Sequence, residues 1–183
     1  MHRTLYVLVY PSRLFAAHWS FWIPYVDAGN QPLDIGDRIH ATGDRLNGFQ
    51  YEYICNYNVR EDDRHPNVFP IGLVLDIHLS RSGKNENVIP SENGRSDTEN
   101  LAFNAFDEAC RDVPAPEPSL NKVDRTDVSK ATGAPLKRAK VKDCQWWIKE
   151  VTSHLVEIGI LLPLDTGHNG ETPILRVDSL PQH

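Results

Sequence analysis

Short hydrophobic segments separated by polar turns occupy much of the chain between residues 4 and 79, and some of them alternate hydrophobic and polar positions with a period of two. The clearest case is Phe49–Tyr57, where aromatic residues and Cys55 alternate with Gln50, Glu52 and Asn56. This alternation is typical of an antiparallel strand with one buried face. Four more segments have strand character and are bounded by turn-forming residues, namely Thr4–Tyr10, His18–Tyr25, Asp37–Thr42 and Ile71–Leu79, the last with a β-bulge expected at Gly72.

A helical period replaces this alternation between Asp143 and Gly159. The apolar residues that recur there at three- and four-residue steps are Cys144, Ile148, Val151, Leu155 and Ile158. Because such positions share one face of a helix, we expect that face to be buried. Asp143 is suited to be the N-cap, and Gly159 is suited to end the helix at C′. A second helix is predicted over Asn100–Val113, and an edge strand over Thr172–Val177.

The remaining segments are polar or extended. Residues 80–100 consist mainly of Ser, Asn, Gly, Glu and Arg, which predicts a mobile loop. Residues 114–142 begin with PAPEPS and continue with many lysines and arginines, so we interpret them as an extended basic connector. The length of 183 residues suits one domain. The pattern therefore predicts a single α+β domain over 1–183, with a small antiparallel sheet of about five strands packed against the cysteine-bearing helix.

Charge and cysteine content restrict the class of protein. The net charge of −6 argues against a nucleic-acid-binding protein held by its overall field. The three cysteines include no C-x-x-C pair and cannot all be paired within the chain, so the sequence argues against a disulfide framework. This favours a reducing compartment, and we expect the cytoplasm. The apolar run at Leu5–Tyr10 is too short to span a membrane. No nucleotide-binding or phosphate-binding glycine motif is present, so no cofactor is expected.

Cys144 is the first candidate for chemistry because it lies in the first turn of the predicted helix. Unpaired N–H groups and the helix dipole at that position favour a thiolate, with a pKa below the free value of about 8.5. The alternative is that Cys144 is a small buried apolar residue, which is common for free cysteine.

A nucleophilic cysteine needs a base, and two histidines have a suitable context. His18 begins one predicted strand, and His40 lies in the strand expected to pair with it. If these strands form a hairpin, both histidines project from one face toward the helix packed there. His154 is on the helix itself, but it is about 15 Å along the axis from Cys144 and too far to touch it.

The segments HWSFWI at 18–23, RIH at 38–40 and DCQWW at 143–147 resemble those of circularly permuted papain-like thiol enzymes of the NlpC/P60 superfamily. Similar motifs occur in lecithin:retinol acyltransferase-like proteins and in PPPDE-type peptidases. The resemblance implies a permuted papain-like fold, with Cys144 as the nucleophile, His18 as the general base within hydrogen-bond reach of it, and His40 as the orienting residue. In those families an asparagine precedes the cysteine, whereas Asp143 stands here.

Three hypotheses of function follow. The first is a cysteine-dependent hydrolase or acyltransferase, thiol-protease-like in mechanism, acting on an amide, ester or thioester of a small-molecule, lipid or peptide substrate through a thioester. Its substrate-binding residues would be Trp22, Gln145 and Trp146. The second is a non-catalytic binding module that keeps the fold and has an aromatic-lined groove. The third is a zinc site made by His18, His40 and Cys144, although no short ligand pair supports it.

Overall fold

Six strands form one antiparallel sheet in the order β4-β3-β2-β1-β5-β6. The structure is a computed structural model that describes residues 1–80, 102–119, 142–164 and 170–183. The strands are β1 (His2–Tyr10), β2 (His18–Val26), β3 (Pro32–Asp44), β4 (Gly48–Asn58), β5 (Asn67–Leu75) and β6 (Leu161–Leu162). The predicted α+β class is confirmed, and the sheet has one strand more than expected.

Four helices complete the described chain. They are α1 (Asp76–Leu79), α2 (Ala105–Arg111), α3 (Cys144–Glu157) and α4 (Pro173–Asp178). The N-cap of α3 is Asp143, as predicted, and its carboxylate accepts a hydrogen bond from the Trp146 backbone N–H at 3.0 Å. Gly159 follows the helix with a φ of 75°, a left-handed conformation that glycine adopts without strain.

Two of the strand predictions are wrong, one in part and one entirely. Ile71–Leu79 is strand only to Leu75, because β1 begins at His2, which pairs with Leu75, and leaves the next residues without a neighbouring strand. Thr172–Val177 is not an edge strand but falls in α4. There the Thr172 hydroxyl accepts a hydrogen bond from the Leu175 N–H, and Pro173 occupies the first helical turn. The predicted bulge is present beside Gly72, where the β1–β5 register shifts.

The sheet has an inner face, which packs against α2 and α3, and an opposite face, which we call the outer face. Alternate residues of β2 divide between them, so Phe21 packs on Trp147 of α3 at a ring-centroid distance of 6.0 Å, while Trp22 packs with Tyr6 on the outer face. The prediction of the buried helix face is wrong for one residue. Ile158 is 46% exposed because it is the C-cap and has left the helical conformation.

The first residues of the predicted connector lie beside the sheet. Residues 114–119 pass along the β3–β4 turn, where the Phe49 N–H donates to the Pro116 carbonyl and the Ser119 N–H donates to the Arg45 carbonyl. Residues 81–100 of the predicted mobile loop and 120–141 of the predicted connector lie outside the described residues. Within the part of the chain that the structure describes, no helix is long and apolar enough to cross a membrane.

A buried carboxylate fastens α2 to the sheet. Asp107 is fully buried, and it accepts hydrogen bonds from the Tyr51 hydroxyl, the Phe103 N–H at 2.8 Å and the Arg111 Nε at 2.9 Å. Because a buried charge is costly without partners, these contacts make Asp107 essential to the packing of α2.

We expect Asp107→Ala to lower the free energy of unfolding by about 3–5 kcal/mol, since it leaves the Arg111 charge and the Tyr51 hydroxyl without their buried acceptor. The matched control is Asp178→Ala. Its partner Lys149 also lies at 2.9 Å, but Asp178 is 53% exposed, so the change should cost no more than about 1 kcal/mol. Urea denaturation of both variants measures the difference, and equal losses would contradict the assignment of Asp107.

Candidate functional site

Two histidines, one at the start of β2 and one within β3, are hydrogen-bonded to each other. His18 Nε2 is 2.8 Å from His40 Nδ1, and the two rings meet edge to face at an interplanar angle of 76°. The β2–β3 register, in which Phe21 pairs with Ile39, brings these two residues together across the ladder. The structure therefore joins the two histidines that the sequence analysis selected.

Glu52 extends this pair into a chain of three side chains. It lies directly opposite His40 in the β3–β4 ladder, and its Oε2 is 2.6 Å from His40 Nε2. Glu52 is not among the site residues predicted from the sequence. The available signal was its position on the polar side of an alternating strand, but its pairing with His40 depends on the register that the β3–β4 turn sets.

The histidine chain lies in a basic and aromatic environment on the outer face. Arg38 donates from Nε to the Ser20 hydroxyl at 3.1 Å, and its guanidinium lies 5.0 Å from the ring centroid of Tyr10. The ring of Tyr10 is in turn 5.7 Å from that of His18. The guanidinium of Arg64, from the loop between β4 and β5, also lies over the Tyr10 ring, 4.3 Å from its centroid.

This environment keeps both histidines neutral. Burial is the main cause that lowers the pKa of His18, to about 3, and the positive charges of His40, Arg38 and Arg64 lower it further. The carboxylate of Glu52 acts in the opposite direction but is outweighed. Burial also lowers the pKa of His40, although the hydrogen bond to Glu52 opposes this. The pair is therefore uncharged at neutral pH.

Cys144 is the first residue of α3 and is 7% exposed. Burial raises the pKa of its thiol to about 11. A hydrogen bond from the Trp19 backbone opposes the rise, the charge of Asp143 adds to it, and the backbone groups of Gln145 and Cys144 also oppose it. The expected lowering of this pKa is thus wrong, because removing the thiolate from water outweighs the backbone groups at the helix start.

The carboxylate of Asp143 has two partners of its own. One carboxylate oxygen caps α3 through Trp146, and the other lies 2.6 Å from the Arg45 guanidinium. Arg45 comes from the β3–β4 turn, so this ion pair also fixes the start of the helix against the end of the sheet.

Cys144 and His18 line one cavity of about 820 Å³ at the end of the sheet. Its walls come from the β1–β2 loop, the β3–β4 turn and the start of α3. Exposed apolar side chains at the cavity are those of Leu14, Phe15 and Leu46. Because His18 is the first residue of β2 and Cys144 is the first residue of α3, both reach this end of the molecule.

The relation of the two histidines to α3 differs from the expectation. Both project from one face, but it is the outer face, since Trp19 and Phe21 occupy the inner face against the helix. Among the described residues, the Cys144 sulfur makes no hydrogen bond to His18, and its neighbour on β2 is the Trp19 backbone. The thiol and the imidazole thus line one cavity in the described structure without a hydrogen bond between them.

The structure separates the three residues predicted to bind substrate. Gln145 is buried, and its amide donates to the carbonyls of Ala17 at 2.8 Å and Gln182 at 3.1 Å. Trp146 is half-buried, with the Lys142 ammonium 4.3 Å from its ring centroid. Trp22 lies on the outer face and lines a different cavity of about 640 Å³ together with Tyr6. None of the three lines the cavity of Cys144 and His18.

The zinc hypothesis has no geometric support in the described part of the chain. No group of three or more His, Cys, Asp or Glu side chains is arranged there to hold a metal ion. His18 Nε2 and His40 Nδ1 face each other as hydrogen-bond partners, and His40 Nε2 is engaged by Glu52.

Residues 5–162 match the model of a family described as "Family of unknown function (DUF6540)". No curated protein and no solved structure matches the chain.

The lowered pKa of His18 predicts a dependence of stability on pH. Between the ordinary value of about 6.5 and the folded value of about 3, the unfolded chain binds the proton and the folded chain does not, so stability falls as the pH falls through this window. In His18→Gln this contribution is absent. We expect the slope of unfolding free energy against pH to decrease by close to one proton, about 1.4 kcal/mol per pH unit. Denaturation at several pH values measures it, and identical slopes would contradict a buried neutral His18.

The raised pKa of the thiol predicts how Cys144 reacts with iodoacetamide. Alkylation at Cys144 should be slow at neutral pH and should accelerate as the pH approaches about 11, because only the thiolate reacts. Peptide mass spectrometry separates this site from Cys55 and Cys110. A rate that reaches its plateau below about pH 8.5 would show that the backbone N–H groups outweigh burial.

Proposed function

We propose that this chain, which belongs to the DUF6540 family, is a cysteine-dependent hydrolase or acyltransferase that forms a thioester at Cys144. The observation that carries the proposal is the shared cavity, which combines a thiol at a helix start with an imidazole already hydrogen-bonded to a second one. A nucleophile, a base and a residue that orients the base are the minimum set for this chemistry. The fold proposed for it is the permuted papain-like arrangement, with the histidine strands preceding the cysteine helix.

The first step forms the thioester. His18 takes the proton of the thiol through Nδ1, the ring nitrogen not occupied by His40, while the sulfur attacks the carbonyl carbon of an amide, ester or thioester. The carbonyl oxygen becomes an oxyanion, and the backbone N–H of Cys144 at the start of α3 is a donor for it. When the carbonyl re-forms, the leaving group takes the proton from His18.

The second step restores the thiol. Water or an acceptor amine or alcohol attacks the thioester carbonyl and gives its proton to His18. The sulfur then leaves and recovers that proton. Hydrolysis and acyl transfer differ only in the acceptor, so the same residues support both.

The pKa values support proton transfer during attack and not before it. A thiol pKa of about 11 and an imidazole pKa of about 3 mean that the resting pair is neutral. Substrate must therefore bring His18 Nδ1 and the sulfur together and stabilise the developing charges. Movement of the loop with Arg13, Leu14 and Phe15 at the cavity is the local change that would accompany this.

Several features support the remaining parts of the proposal. The apolar side chains at the cavity suit an acyl substrate, whether small molecule, lipid or peptide. The three cysteines are all free, which supports a reducing compartment such as the cytoplasm.

One observation favours the alternative function, a non-catalytic binding module. The outer-face cavity of about 640 Å³ is lined by Tyr6 and Trp22, whose rings lie 5.4 Å apart, and by Pro24, Pro32 and Pro66. Such an aromatic surface binds ligands without a nucleophile. Acetylation of Cys144 by an activated ester distinguishes the two functions.

Incubation with p-nitrophenyl acetate should add one acetyl group to Cys144, detected by intact mass and located by peptide mass spectrometry. The adduct should be absent in Cys144→Ala, and its formation should slow at least tenfold in His18→Ala, the loss typical of a removed general base. Cys55 of β4 and Cys110 of α2, both buried in the core, are internal controls and should remain unmodified. Labelling of wild type and His18→Ala at equal rates would contradict the proposed enzyme and leave the binding module.

A further inference from the structure

We infer that Glu52 is a positioning residue that fixes the tautomers of both histidines, so that His18 presents an unprotonated Nδ1 to the cavity of Cys144. The inference rests on the proposed function for its role in turnover. The tautomers themselves are a property of the hydrogen-bonded chain from β4 to β2 and can be measured without any reaction.

The carboxylate of Glu52 determines which nitrogen of His40 carries the hydrogen. Glu52 Oε2 and His40 Nε2 are 2.6 Å apart, a distance typical of a charge-assisted hydrogen bond. An ionised carboxylate can only accept, so His40 Nε2 carries the hydrogen. A neutral imidazole has one N–H, and therefore His40 Nδ1 has a free lone pair.

The hydrogen bond between the two imidazoles then determines which nitrogen of His18 carries the hydrogen. His40 Nδ1 is 2.8 Å from His18 Nε2, and since Nδ1 can only accept, His18 Nε2 is the donor. The single hydrogen of neutral His18 is thereby placed on Nε2. Its Nδ1 is left as the basic nitrogen, which is the state that a general base must have before it accepts the thiol proton.

The surrounding charges support neutral rings, on which this logic depends. Arg38 on β3 and Arg64 in the β4–β5 loop both disfavour protonation of His18 and of His40. Tyr10 of β1 faces His18 with its ring, 5.7 Å between the ring centroids. Asp62, the nearby loop carboxylate, is paired with Arg64 at 2.6 Å. Glu52 is thus the carboxylate that meets the imidazole chain.

Without Glu52 the chain can run in the opposite sense. His40 could then carry its hydrogen on Nδ1 and donate to His18 Nε2, which would place the His18 hydrogen on Nδ1. In that state His18 points an N–H toward the cavity and cannot accept a proton there. Glu52 therefore acts through His40 and touches neither the substrate nor the thiol.

The test is ¹⁵N NMR of the folded protein labelled at histidine, because protonated and bare ring nitrogens have distinct chemical shifts. In wild type at neutral pH, both His18 and His40 should be protonated at Nε2. In Glu52→Ala, the Nδ1-protonated form should appear at both residues. Glu52→Gln should retain the wild-type tautomers, since its amide oxygen accepts the same bond. Gln50→Ala, two residues away on the same side of β4 and exposed, is the matched control and should change neither residue.

Acetylation of Cys144 by p-nitrophenyl acetate provides the second measurement. Its rate should fall at least tenfold in Glu52→Ala, recover in part in Glu52→Gln and remain unchanged in Gln50→Ala. If Glu52→Ala does not fold, Glu52→Met replaces it, because methionine has a similar length and no acceptor oxygen.

The outcomes separate this inference from the proposed function. Wild-type tautomers that persist in folded Glu52→Ala or Glu52→Met overturn the positioning role, even if acetylation slows. A tautomer change together with slower acetylation supports it. Tautomers that change as expected in a protein whose Cys144 is never acetylated establish the role of Glu52 and disprove the proposed enzyme.

Discussion

The antiparallel register of β2, β3 and β4 is the constraint on which the candidate site depends. Glu52 faces His40 only because β3 and β4 pair as they do, and His18 reaches His40 only through the pairing of β2 with β3. A shift of either pair by one residue would move a histidine or the carboxylate to the inner face, because side chains alternate with a period of two. The same register places Tyr53, Ile39 and Phe21 on the inner face, so packing against the helices and assembly of the polar chain enforce each other.

Burial has opposite consequences for the two groups proposed to react. It raises the pKa of the thiol and lowers that of His18, and both changes favour the uncharged forms. A thiolate–imidazolium pair is therefore not the resting state of this protein. The backbone N–H groups around Cys144 moderate the effect without reversing it, since desolvation is the largest cause.

Two residues beside Cys144 connect the helix to the sheet. Asp143 combines the N-cap with an ion pair to Arg45 in the β3–β4 turn. Gln145 binds the end of the β1–β2 loop at Ala17 and the C-terminal segment at Gln182, and the Ala17 N–H donates to the same Gln182 carbonyl. Through these contacts the thiol is fixed relative to the first residues of β2. Asp143 and Gln145 thus both have structural partners that hold the start of α3 in place.

The sequence by itself determined the elements whose signals are local. Alternation predicted β4, strand-type composition between turn residues predicted the other four of the first five strands, the three- and four-residue repeat predicted α3, and the capping chemistry of Asp143 and Gly159 predicted its ends. It also selected His18, His40 and Cys144, of which the structure joins the first two by a hydrogen bond and brings His18 and Cys144 to one cavity. Tertiary structure alone decided the rest. Glu52 became a partner of His40 through register, the histidines took the outer face because Trp19 and Phe21 were needed against α3, and Thr172–Val177 fell mostly in a helix capped by Thr172. The pKa of the Cys144 thiol is raised, whereas the sequence predicted that it would be lowered, and the reason is again tertiary. A helix start is visible in a sequence, but the loss of water around it depends on every element that packs there.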